Sequence, residues 1–247
     1  MGTDIHAVVQ RREDDRWANV DMAWPGRKRW DHPLTQRNYN AFAILGNVRN
    51  GTGFAGAYTS DGFDPISDER GFPRDFTAVG EDGYVRCDVH QVKPDVLARV
   101  DDEGFEDPAW GCENCRWMGD HSFTWVSARE LIEYDWAAPV RMRMVVEWPE
   151  YHAWAIVGGK QGFPKSWCGD VSSMRVVKFR EKDIVPFGDN IRQLIDRKLA
   201  DGKNIYVESF QSYPRSEAAR ALHDDVIPWL QTLGNPDDVR IVMGFDS

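Results

Sequence analysis

Ile205-Tyr206-Val207-Glu208-Ser209-Phe210, then Ser216 through Leu233, then Gly234-Asn235-Pro236 and Val239-Arg240-Ile241-Val242-Met243 read in order as strand, helix, turn and strand. The two short runs are rich in β-branched and aromatic residues, and Gly-Asn-Pro cannot continue a helix. This β-α-β ending, with strands elsewhere in the chain, predicts an α+β protein: a mixed β-sheet with flanking helices.

Working back from the tail, Asn190–Ala200 reads as an amphipathic helix closed by Gly202, and Ser172–Arg180 as a strand. Val140, Met142, Met144 and Val146 alternate with charged residues across 139–147, the period of a strand. Ser127-Ala128-Arg129-Glu130 ahead of Leu131-Ile132 has the Ser-x-x-Glu pattern of a capping box. Thr35 reads as the N-cap of a helix running through Leu45, with Phe42 and Leu45 on its apolar face. Residues 50–84 hold many Gly, Pro, Asp and Ser, including Gly71-Phe72-Pro73, and predict a long, ordered loop of the functional kind. Residues 4–12 read as the first strand, with 17–24 as its hairpin partner.

Composition narrows the function classes. The chain has 247 residues and a formal net charge of -10. That charge disfavours non-specific duplex DNA binding, which depends on Lys and Arg meeting phosphates. The most basic stretch, from Arg11 to Arg37, is diluted by Glu13, Asp14, Asp15 and Asp31, so a small anionic or nucleotide-like ligand fits better than a nucleic acid. No run of about 18 apolar residues is present, which predicts no membrane span. With no basic-then-apolar leader at its start, the sequence predicts a cytoplasmic setting. The eleven tryptophans read mainly as packing, with one or two able to stack on a base or ring.

The chain opens Met1-Gly2-Thr3-Asp4-Ile5-His6, directly before Ala7-Val8-Val9. Two residues apart on a strand, Asp4 and His6 face the same way, as paired ligands of a divalent metal or an acid/base pair require. Gly119-Asp120-His121-Ser122 supplies a second Asp-and-His group, and Asp246 joins the first if the last strand lies beside the first strand. Arg37 and Arg49, with Tyr39 between them, are the residues suited to holding a phosphate or carboxylate. Cys87-Asp88-Val89-His90 and Cys112-Glu113-Asn114-Cys115 are two ligand pairs of matching spacing. Cys87, His90, Cys112 and Cys115 together make the Cys3His set of a closed, structural zinc site, which would staple a loop-rich insertion. Three of the four cysteines fall in this set, and the cysteine usage fits ligands better than a disulfide framework.

Met1–His6, Arg37–Leu45, Arg70–Asp75, His121–Trp125 with Glu130-Leu131, and Val239–Asp246 together resemble a group of small phage and bacterial proteins. That group opens with Met-Gly-x-Asp-Ile-His and carries no established activity. The resemblance implies a phage-type setting and a single α+β domain over 1–247, with insertions at 85–118 and 139–180. It also implies that Asp4, His6, Arg37, Tyr39, His121, Ser122 and Asp246 converge.

Two functions follow as expectations. The first is a metal-assisted hydrolase of a nucleotide or other phosphate-bearing small molecule. In it Asp4 and His6 hold the ion, His121 moves the proton and Arg37 balances developing charge. The second is a non-catalytic protein that sequesters a nucleotide-like signal or inhibits a host protein.

Overall fold

The computed structural model describes residues 2–20, 22, 32–76, 85, 117–184 and 188–246, which form two compact units. Its strands are β1 (Asp4–Glu13), β2 (Arg16–Asn19), β3 (His121–Ser127), β4 (Pro139–Glu147), β5 (Val176–Arg180), β6 (Asn204–Pro214) and β7 (Val239–Asp246). One sheet is antiparallel in the order β2-β1-β7-β3, and the other is mixed in the order β4-β6-β5. With helices beside both, the class is α+β, as the sequence predicts. Among the described residues no helix is long and apolar enough to cross a membrane.

The first unit comprises 1–50, 63–138 and 214–247. Its central strand is β7, buried along nearly its whole length, as a near-continuous apolar run requires when both faces are covered. One face carries Ile5, Ala7 and Val9 of β1 with Ile241, Met243 and Phe245 of β7. The helix Tyr39–Gly46 closes this face, with the Phe42 ring 5.3 Å from that of Phe245. On the other face Val8 and Val242 cluster with Phe76, Val85 and Met118, flanked by Phe72, Phe123 and Trp125. The same face buries a cation. Arg240 lies over the Trp17 ring at 3.9 Å, donates to Gln10 Oε1 at 3.0 Å and pairs with Asp75 at 2.7 Å.

The first helix starts later than the sequence suggests. Asn38 is its N-cap, with Oδ1 accepting from the Ala41 N–H. Thr35 instead closes a separate 3-10 turn, where His32 Nδ1 accepts from the Leu34 N–H and Thr35 donates to the His32 carbonyl. The loop after this helix is ordered by polar bonds. Ser67 Oγ and Thr124 Oγ1 lie 2.8 Å apart, with the Leu45 carbonyl within reach of the first and the Asp68 carbonyl within reach of the second.

The capping box is present as predicted, with one addition. Ser127 caps the helix Ala128–Glu133, and Glu130 Oε2 accepts from the Ser127 N–H at 2.8 Å. Arg70 adds a two-pronged bond to Glu130, at 2.9 and 3.2 Å, and lies over the Trp125 ring. Burial pushes the Glu130 carboxyl up, but Arg70 and Ser127 outweigh it and leave the pKa below its ordinary value. A depressed carboxylate stabilises the fold above its unfolded pKa and loses that contribution as pH falls through the folded one. Glu130→Ala is therefore expected to cost about 1–2 kcal/mol in urea unfolding at pH 7, mostly as lost capping. The gap to wild type narrows when unfolding is repeated near pH ~3.

The second unit comprises 51–62 and 139–213. Arg143 on β4 is the polar centre of its sheet: it pairs with Glu208 of β6 at 2.6 Å and donates to the carbonyls of Tyr58 and Gly169. β4 matches the predicted alternation over 139–147. β5 begins at Val176, later than the expected Ser172, because Ser173 forms a turn whose carbonyl accepts from the Val176 N–H. The helix Gly188–Ala200 ends before Gly202, whose φ of 72° suits the residue.

The two strands of the tail enter different sheets, β6 the mixed one and β7 the antiparallel one. The helix over 216–233 is also divided into Arg215–Ala218, a wide π turn over Ala221–Val226, and Ile227–Thr232. Pro228 explains the second break. Having no N–H, it cannot bond to the preceding turn, and the π turn just before it absorbs the mismatch.

Candidate functional site

β1 and β3 begin, and β7 ends, at one end of the antiparallel sheet, and most of the residues singled out in the sequence gather there. The last strand does lie beside the first. Asp4 pairs with Asp246 across the sheet and His6 pairs with Gly244, so Asp4, His6 and Asp246 share a face. Asp246 Oδ1 accepts from the Asp4 N–H at 3.1 Å, and its Oδ2 shares a 3.0 Å hydrogen bond with His6 Nε2. Trp117 meets the His6 ring edge-on at 4.7 Å.

Arg37 forks onto Asp4, with Nε to Oδ1 at 2.8 Å and Nη2 to Oδ2 at 2.6 Å. The guanidinium holds the Asp4 carboxyl below its ordinary pKa. Both carboxylate oxygens thus point at Arg37, and the His6 nitrogen points at Asp246. Arg37 takes one lone pair on each Asp4 oxygen. Among the described residues no group of three or more His, Cys, Asp or Glu is set to hold a metal. Cys87, His90, Cys112 and Cys115, the predicted zinc ligands, lie outside the described residues. Cys168 stands apart from them, its thiol donating to the Val145 carbonyl at 3.4 Å.

His121 belongs to the other face. It aligns with Phe245, and its ring stacks at 6.4 Å from the Phe245 ring. Here an open cleft of about 380 Å3 is lined by Thr3, Asn47, Val48, Arg49, His121 and Ser122. Arg49 is placed by Thr3, whose Oγ1 accepts from Nε at 2.8 Å, and it lies over the Tyr39 ring at 5.9 Å. The Tyr39 hydroxyl is buried without a hydrogen-bond partner among the described residues. The list expected to converge therefore divides: Asp4, His6, Arg37 and Asp246 form one group, and Tyr39, Arg49, His121 and Ser122 the other.

The backbone of the cleft is strained. Asn47, Arg49 and Ser122 have φ of 58°, 55° and 51°, the left-handed region that costs a non-glycine residue about 1 kcal/mol. The six positive-φ non-glycine residues among those described include these three, so half of that strain lines one cleft. Strain of this kind persists where the surroundings enforce it, commonly at sites of binding or reaction.

Ser122 also breaks the strand. The register between β3 and β7 shifts between His121 and Thr124, the mark of a β-bulge. In a regular strand His121 and Ser122 would face opposite ways. Here His121 Nδ1 and Ser122 Oγ share a hydrogen bond of 3.0 Å, and Asp120 Oδ1 lies 3.9 Å from Nε2.

Thr3, Asn47 and Trp117 are the site residues that the sequence reading missed. Asn47 had a signal: it directly follows Gly46, where the helix was expected to break, and Asn is the commonest non-glycine occupant of a left-handed cap. Thr3 and Trp117 had none, being an ordinary threonine and one of many tryptophans.

No family model, no curated protein and no solved structure matches this chain.

Proposed function

We propose that the chain is a hydrolase of a small phosphate-bearing molecule, a nucleotide being the fitting class, and that it works at the Thr3–Asn47–Arg49–His121–Ser122 cleft. The observation that carries this reading is the cleft's composition. An arginine held by Thr3 and a histidine bonded to a hydroxyl line one strained, solvent-open hollow. Arg49 supplies the charge that holds a phosphate, and His121 moves the proton, the role given to it in the sequence reading. The geometry favours this cleft over the Asp4–His6 pair, whose polar atoms face Arg37 and Asp246. The setting we propose is a host cytoplasm, with the chain of phage type.

A second reading, a protein that sequesters a nucleotide-like signal, is favoured by the Tyr39 ring beneath Arg49, because such a platform binds without turnover. Inhibition of a host protein would need only the acidic surface implied by the net charge.

Calorimetric titration with inorganic phosphate and with a nucleoside monophosphate, followed by an assay of phosphate release, separates these readings. Wild type is expected to bind both, and Arg49→Gln to bind at least ~10-fold more weakly, as loss of a charge-assisted contact implies. Binding with release supports the hydrolase, and binding without release supports sequestration. Equal affinity in wild type and Arg49→Gln, or no binding at all, overturns the assignment of the cleft.

A further inference from the structure

We propose that Ser122 is a nucleophile and His121 its general base, so that the cleft works through a covalent seryl intermediate. This rests on the reading of the cleft as a hydrolytic site, but it names the attacking atom, which that reading leaves unassigned.

The case begins with the bulge. Alternation along a strand should separate neighbouring side chains, yet Ser122 Oγ and His121 Nδ1 are 3.0 Å apart. The left-handed φ of 51° at Ser122 is what turns the hydroxyl toward the imidazole. A non-glycine residue held there pays a conformational cost, so the pairing is enforced by its surroundings.

The base also has neighbours on its other sides. The His121 ring is stacked with Phe245 at 6.4 Å, and the exposed Asp120 carboxylate lies 3.9 Å from its second nitrogen, an ion-pair distance longer than a hydrogen bond. A hydroxyl, an imidazole bonded to it and a carboxylate beyond the imidazole are the three parts of a nucleophile–base–orienter set, which is recognised by geometry and not by chain order. Arg49 on the same cleft is the cation that meets charge developing on a phosphoryl oxygen.

The step balances without any further reactant. The Ser122 hydroxyl proton passes to His121 Nδ1 as Oγ forms a bond to phosphorus. The bond from phosphorus to the leaving oxygen breaks, and that oxygen takes the proton from His121. Water then attacks phosphorus, giving its proton to His121, and the Oγ–phosphorus bond breaks as the proton returns to Oγ.

An alkyl fluorophosphonate tests this independently of any turnover, since it reports an activated serine by forming an Oγ–phosphorus bond and releasing fluoride. The whole chain is treated with the probe, and the labelled residue is located by peptide mass spectrometry. Wild type should be labelled at Ser122, and His121→Gln at least ~100-fold more slowly, the lower end of a general-base contribution. Ser122→Gly should take no label while melting at or above the wild-type temperature, because a φ of 51° suits glycine. An unlabelled Ser122, or an equal labelling rate in His121→Gln, overturns the proposal. Label at Ser122 in a protein that neither binds nor cleaves phosphate compounds upholds the nucleophile and instead removes the phosphate-ester reading. Phosphate release at the wild-type rate in Ser122→Gly removes the nucleophile and leaves the hydrolase reading intact.

Discussion

Gly244→Ala should destabilise the first unit by about 3 kcal/mol, the upper end of forced overpacking in a rigid core. Gly244 lies in the central strand, opposite His6. A Cβ there would overlap the Met118 carbonyl oxygen and come within 2.7 Å of the Phe123 ring. A flexible neighbour could swing aside, but a backbone carbonyl cannot without moving its peptide. That peptide sits among Trp117, which packs on His6, and Gly119, whose φ of 84° lets it pass against the Phe245 backbone. Guanidinium-induced unfolding, followed by tryptophan fluorescence, measures the loss. A midpoint within error of wild type would mean that residues 117–119 do not cross β7 in this way.

Phe245→Ala is the second large effect, expected at about 3–5 kcal/mol, as for other buried phenylalanines. Phe245 is fully buried and joins the helix Tyr39–Gly46 to the sheet through Phe42. It also carries the His121 ring, so its loss reaches the cleft. Stability and phosphate binding should fall together in Phe245→Ala, whereas Arg49→Gln should weaken binding at nearly unchanged stability. The same unfolding experiment, paired with phosphate titration, checks both. Were Phe245→Ala to unfold like wild type, the packing of Phe42 and His121 on this ring would be refuted.

Much of the frame was legible in the sequence because local chemistry determines it. The alternation of Val140, Met142, Met144 and Val146 is a strand in any context that buries one face. Ser127 and Glu130 satisfy each other's backbone neighbours, so their helix start needs nothing from elsewhere. Placing Asp246 near Asp4 required only that the last strand lie beside the first. What could not be read depends on partners distant in the chain. The tail's two strands enter different sheets, a decision made by the strands they meet and not by the helix between them.

The site shows the same division. Arg37 was singled out for its charge, but its pairing with Asp4 is a choice that only the folded geometry makes. His121 and Ser122 were both singled out, yet their pairing depends on one left-handed residue in a bulge, which sequence alternation would place wrongly. Arg240 is a charge in the middle of an apolar run, tolerated because Trp17, Gln10 and Asp75 surround it.

The pairing of β1 with β7 also bears on the order of assembly. The Asp4 N–H reaches Asp246 across 242 positions of chain, and β7 separates β1 from β3 in the sheet. Until β7 arrives, neither neighbour has its inner edge covered, and Ile5, Val9 and Phe42 lack the apolar strand they pack against. Closing so long a loop must come before any contact rewards it, and topology of that kind slows folding. The first sheet is therefore complete only once that long-range pairing has formed, and both polar groups at its end depend on it.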